Sequence, residues 1–129
     1  MIKNVTHDAE GKLWCGPAVI SAITGWPTSY IIPRIKNLHN YADEWGVPPN
    51  ILIQICKELG YELRPLKYSG KIRDLIPLCL SIVDAGAGHY IVSEDGFMVD
   101  SCYGISIPIA FTRFDNSEVR ECWQILAVT

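Results

Sequence analysis

The sequence predicts an α+β domain in which N-terminal helices pack on a C-terminal antiparallel sheet. Two observations carry this prediction. The helix-like apolar patterns all precede Gly60, and the strand-like patterns all follow it. No strand-helix-strand alternation and no internal repeat links the two halves, which excludes a parallel doubly wound sheet. With 129 residues the chain is read as a single domain spanning 1–129.

The elements follow in order. Residues 1–12 contain Asp8, Glu10, Gly11 and Lys12 and read as an exposed lead-in. Residues 15–25 are almost all apolar or small and stop at Gly25, the pattern of a helix buried on every side. Thr28 or Ser29 is placed to cap a second helix through Ile31, Ile35 and Leu38, with Pro33 confining its regular part to later residues. Pro48-Pro49-Asn50 opens a third helix, on which Ile51, Leu52, Ile55, Cys56 and Leu59 recur at helical spacing before Gly60 ends it.

Beyond Gly60 the period shortens. Tyr61 to Leu66 alternates as a half-buried strand does, Lys71 to Leu75 reads as a short helical turn, and Leu78 to Val83 is rich in strand formers. His89 to Ser93 and Phe97 to Asp100 flank Asp95-Gly96, a two-residue hairpin signal. Val119 to Val128 supplies a last strand.

Composition narrows the function classes. A hydrophobic content of 49% with 19% charged residues describes an ordinary folded chain, not a disordered one. A net charge of −3, with no cluster of basic residues, argues against nucleic acid or an anionic membrane as partner. The first residues show no basic-then-apolar signal segment, and no apolar run is long enough to span a bilayer. The five cysteines, at 15, 56, 79, 102 and 122, are odd in number and irregularly spaced, which points to free thiols in a reducing cytoplasm. Neither paired cysteines at zinc spacing nor His-x-x-x-His occurs, so no metal site and no cofactor are expected. The oligomeric state is not legible.

The chemistry concentrates at Cys15, which heads the buried helix in Trp14-Cys15-Gly16-Pro17-Ala18. First-turn amides have no internal partners and the helix dipole is positive there, so a thiolate is favoured. Such placement brings a thiol from about 8.5 into a range of roughly 3.5–7.5. Pro17 suits a first turn. Gly16 is expected to let a substrate chain approach the sulfur, and Trp14 either lines a groove or anchors the helix start.

A base follows from hairpin arithmetic. With Asp95-Gly96 at the turn, Glu94 pairs with Phe97, Ile91 falls opposite Asp100, and His89 falls opposite Cys102. Asp100 is then the diagonal same-face neighbour of His89, within reach of an imidazole. Cys102, facing the same ring, is a rival nucleophile or an oxidation partner for Cys15. Gly86 and Gly88 are expected to give the segment before His89 freedom and to leave room for substrate backbone. His7 and His39 are read as solvent-facing, Cys56, Cys79 and Cys122 as packing residues, and the polar stretch Tyr41 to Trp45 as a groove-edge loop.

Cys15-Gly16-Pro17-Ala18, then Gly88-His89-Tyr90-Ile91-Val92, then Val99-Asp100, and Trp123 in the final strand, resemble the bacteriocin-processing branch (family 39) of papain-like cysteine peptidases. The resemblance extends over the order of elements across residues 13–128. It implies a papain-like fold and a peptidase acting on a peptide or protein through a thioester. It also implies that Cys15 is nucleophile, His89 general base and Asp100 its orienter. The chain departs from the family where a glutamine upstream of the cysteine supplies an oxyanion donor. Residues 7–14 contain none, leaving Asn4 or Lys12 as substitutes. Three readings therefore stand: a cysteine peptidase, a deamidase or acyl transferase with the same triad, and an inactive papain-like fold serving as a bacterial or phage protein-binding module.

Overall fold

The computed structural model describes residues 2–39, 46–85 and 87–127. Helix α1 spans Cys15–Thr24 and buries every residue from Gly16 onward, as its all-round apolar sequence requires. Gly25 ends it in the left-handed conformation, φ 80°, and donates its amide to the Ser21 carbonyl. Helix α3, Pro49–Glu58, begins with proline in its first turn and buries Leu52, Ile55 and Cys56.

Helix α2 spans Thr28–His39 and carries Pro33 inside it. The proline does not delay the start, because the first turn is held from outside. Asp8 Oδ1 accepts the Ser29 amide at 2.9 Å and Oδ2 accepts the Ser29 hydroxyl at 2.8 Å. The expected cap, Thr28, is engaged elsewhere: its hydroxyl bonds the His7 ring at 2.8 Å. Burial of Ile31 and Ile35 on the core face compensates for the single backbone bond that Pro33 removes.

The six strands are β1 Tyr61–Pro65, β2 Cys79–Ala85, β3 Ala87–Glu94, β4 Phe97–Val99, β5 Ile107–Pro108 and β6 Val119–Ala127. They form one sheet in the order β1-β6-β2-β3-β4-β5, every pair antiparallel. Asp95 and Gly96 both adopt positive φ, 45° and 86°, as a two-residue turn between β3 and β4 demands. The resulting register pairs Val92 with Val99 and Glu94 with Phe97, as the sequence predicts.

Alternation along the strands creates two cores. Leu63, Leu80, Tyr90, Val92, Trp123 and Ile125 point to the face covered by the helices. Cys79, Val83, Ile91, Met98 and Cys122 point to the other face, where Ile72, Leu75, Ile109 and Phe114 cover them.

Residues 2–12 are mostly exposed, as the sequence predicts, and they are also tied down. Val5 donates its amide to the Gly104 carbonyl at 2.8 Å and Thr6 donates to Ser21 Oγ at 2.9 Å, so the segment ties α1 to the loop after β4. Strand β4 stops at Val99 rather than including Asp100, because the Asp100 carboxylate caps a turn that its own backbone enters. Gly88 lies within β3 rather than in a loop before it. Tyr41 to Trp45, Gly86 and the side chain of His39 fall outside the described residues. Among the described residues no helix is long and apolar enough to cross a membrane.

Candidate active site

The candidate groups meet at an edge that a short strand leaves open. Strand β4 pairs with β3 only at residues 92–94, so β3 from Ala87 to Ile91 has a neighbour, β2, on one side alone. The N-terminus of α1 occupies the vacant side. His89 projects from the sheet face opposite the helices, the face of Ile91. The Cys15 sulfur arrives from the helix side, and the two meet around the strand edge within hydrogen-bonding reach.

His89 is fixed from two directions. Its Nε2 donates to Asp100 Oδ2 at 2.6 Å, leaving Nδ1 for the sulfur. Its ring lies flat against Phe114, with centroids 5.0 Å apart and planes 7° from parallel. Phe114 is itself buried and meets Tyr103 edge-on. Sequence periodicity gave no sign of Phe114, which lies in the irregular segment between β5 and β6.

Asp100 is fully buried. Its Oδ1 accepts the amides of Cys102 at 3.0 Å and Tyr103 at 2.7 Å, and its own amide donates to the Tyr103 carbonyl. The carboxylate therefore ends the strand, shapes the turn and orients the imidazole at once.

The electrostatics favour an ion pair. Burial opposes charge on Cys15, but the His89 hydrogen bond, the Tyr90 backbone amide and the imidazolium charge outweigh it, and the thiol falls below the ordinary cysteine value. Burial likewise opposes the imidazolium, yet the bonds to Asp100 and Cys15 prevail and push His89 up to about 9. Both directions favour charge on the two groups together, the thiolate beside the imidazolium. Cys56 and Cys79, by contrast, are driven by burial up to about 12, which marks them as inert packing thiols.

Two hollows flank the pair and share Cys15, Gly46, Gly88 and His89. The larger, about 490 Å³, adds Lys12, Leu13, Trp14, Ser101, Cys102 and Arg113. The smaller, about 230 Å³, adds Val47, Ile82, Tyr90 and Arg120. A third hollow of about 560 Å³ between residues 65–69 and 120–123 is more capacious but contains no thiol-imidazole pair.

Trp14 lines the larger hollow and stands at the cap position of α1 without a side-chain cap bond. Gly16 is buried and lines neither hollow, because the helix turns inward immediately after Cys15. Asn4 is committed to the Ser106 amide at 2.9 Å and is absent from both linings, whereas Lys12 lines the larger one. Cys102 is exposed in the turn, its sulfur 3.5 Å from Arg113 Nη2. It does not face His89 across a ladder, since the ladder has ended at Val99. His7 is exposed, as expected, yet both ring nitrogens are bonded, to Thr28 Oγ1 and the Gly11 carbonyl.

His89, Asp100 and Cys102 also place a nitrogen, an oxygen and a sulfur within 4.8 Å of one another, the three residues that the hairpin count brought to one face. Both Asp100 oxygens are already engaged by protein donors, so the cluster is organised around the imidazole rather than an ion. Comparison with known proteins finds no family model, no curated protein and no solved structure that the chain matches.

Proposed function

We propose that this chain is a thiol hydrolase of papain-like architecture, most simply a cysteine peptidase. The observation that carries the reading is the imidazole of His89, held between the Cys15 sulfur and the buried Asp100 carboxylate at the mouth of a cleft. The division of the fold supports it: a helix supplies the thiol, the sheet supplies the base, the turn after β4 supplies its orienter, and the cleft runs where they meet.

The chemistry follows from the groups in place. The Cys15 thiolate attacks a peptide carbonyl, forming the S–C bond. The His89 imidazolium gives its proton to the departing nitrogen as the C–N bond breaks. A water then loses a proton to the neutral imidazole and attacks the thioester carbon; the S–C bond breaks as the new C–O bond forms, releasing the acid and restoring the thiolate and imidazolium. Asp100 keeps the ring in the tautomer that presents Nδ1 to the sulfur. The amide of Cys15, at the first turn of α1, is placed to donate to the tetrahedral oxyanion. The same groups serve deamidation and acyl transfer, which differ only in the leaving group or acceptor.

Peptide mapping after limiting iodoacetamide at pH 6 tests the reading. Cys15 is expected to label first among the five thiols. Labelling of Cys15 no faster than that of exposed Cys102 would sink it. A second reading, an inactive papain-like binding module, is favoured by one observation: among the described residues no glutamine or asparagine lines either hollow, so no carboxamide side chain joins the Cys15 amide at the oxyanion. Cys15→Ala separates the two, since it abolishes function in the hydrolase and preserves it in the module.

A further inference from the structure

We propose that the arm of the cleft between Lys12 and Arg113 is a carboxylate subsite, so that the peptide brought to Cys15 carries an acidic group beside the bond that reacts. This rests on Cys15 being the reacting thiol.

Three observations carry it. The first concerns the arginines. Of the five in the chain, Arg34, Arg64, Arg73 and Arg120 each meet a carboxylate within 4.0 Å. Arg113 does not, among the described residues; its guanidinium lies 4.8 Å over the Phe114 ring and reaches Cys102 Sγ instead. The second is convergence. Lys12 enters the same arm from the segment before α1, its ammonium 4.4 Å over the Trp14 ring, so each cation rests on an aromatic face. Among the described residues, that leaves the Lys12 ammonium and the Arg113 N–H groups other than the one turned to Cys102 available to a ligand.

The third is contrast. The chain carries a net charge of −3, yet this arm collects two cations in the hollow that Cys15 and His89 also line, and no described carboxylate lines it. A positive cleft on an acidic protein attracts anions and orients them. Guanidinium geometry matches a carboxylate through two parallel hydrogen bonds. Apart from Arg120, which is already paired with Asp84, the other arm is lined by Val47, Ile82 and Tyr90, so a peptide across the thiol meets uncommitted cations on one side only.

Three alkylating reagents of one reactivity test this: N-iodoacetylglycinamide, N-iodoacetylglycine and N-iodoacetylglutamic acid α-amide. In each, the thiolate displaces iodide and an S–C bond replaces the C–I bond. They present no carboxylate, a terminal carboxylate and a side-chain carboxylate. The measured quantity is the rate ratio of each anionic reagent to the neutral one at Cys15, divided by the same ratio for free cysteine.

One anionic reagent is expected to be favoured by about fivefold or more, the scale of a single charge contact at a partly exposed site. Whichever wins identifies the carboxylate as terminal or side-chain. Arg113→Gln and Lys12→Gln should each reduce the preference, as should raised salt. Two results overturn the proposal: no preference in the wild type, or a preference that survives in the double variant, because the imidazolium alone then draws the anion. Slow reaction of Cys15 with the neutral reagent would instead remove the thiol reading on which the subsite depends.

Discussion

His89 Nε2 and Asp100 Oδ2 stand 2.6 Å apart, and the same carboxylate secures the Asp100–Tyr103 turn through its second oxygen. One buried anion thus couples the orientation of the base to the backbone that ends β4. Asparagine at this position would keep an acceptor for the turn amides but offer the ring a donor in place of an acceptor. Asp100→Asn is therefore expected to fold, to raise the Cys15 thiol toward the ordinary value, and to slow iodoacetamide labelling at pH 6 by about tenfold or more. Asp100→Ala leaves both turn amides without their acceptor and is expected to cost about 3–5 kcal/mol in urea unfolding. Equal labelling rates for wild type and Asp100→Asn would remove the carboxylate from the proposed mechanism.

The ion pair has a signature in pH. Because the thiol is lowered, the labelling rate of Cys15 should remain substantial below pH 7, where an ordinary thiol of about 8.5 is almost wholly protonated. His89 supplies the matching test on stability. Its ring is raised from an unfolded value of about 6.5 to about 9, so folding favours the protonated form. That contribution is fully present below about pH 6.5 and is lost as pH rises through about 9. The stability advantage of wild type over His89→Gln is thus expected to shrink between pH 6 and 10, by on the order of 1–3 kcal/mol. Urea melts at the two pH values read it directly, and an advantage that grows with pH would contradict the assignment.

Phe114 is predicted to be a positioning residue. It touches the imidazole face, not the sulfur, and it is buried in the second core. Phe114→Ala combines two losses, a cavity costing about 3–5 kcal/mol and a ring freed to turn. Phe114→Leu separates them, since it keeps most of the apolar volume and discards the flat face. Its unfolding free energy should fall by no more than about 1.5 kcal/mol. The acid limb of its labelling profile should nevertheless move toward the ordinary thiol range, as the imidazolium loses its fixed place. A profile superimposable on wild type would reduce Phe114 to packing.

The hairpin made the His89–Asp100 relationship readable in the sequence. A two-residue Asp-Gly turn permits one register, and side-chain period fixes the face, so a base and its neighbouring carboxylate followed by counting. The end of β4 was not readable by the same means. Whether Asp100 continues a ladder or caps a turn depends on competition between its carboxylate and the backbone, which periodicity does not encode. Nor was the outside cap of α2 visible, because Asp8 reaches Ser29 across 21 residues. Phe114 and Arg113 were obscured for the same reason: each stands in an irregular segment, where chain spacing says little about proximity. What periodicity did show was the α+β layering, since apolar stripes must be buried wherever the connections run.

Gly88 tests how narrow the cleft is. It lies within β3, lines both arms and sits immediately before the base. A Cβ there would lie 3.1 Å from Ile82 Cγ2 and 3.2 Å from an Arg120 guanidinium nitrogen, closer than ordinary packing allows. The arginine end is flexible and already joined to Asp84, so it can yield at the expense of that contact. Ile82 is anchored in the neighbouring strand and can yield less. Gly88→Ala is therefore expected to lower stability by about 1–3 kcal/mol and to crowd the apolar arm. Small iodoacetamide should still reach Cys15 at close to the wild-type rate, while N-ethylmaleimide should react more slowly. The ratio of the two rates is the measurement. An unchanged ratio would show that substrate backbone does not pass over Gly88, and would move the path of the peptide to the Lys12–Arg113 arm alone.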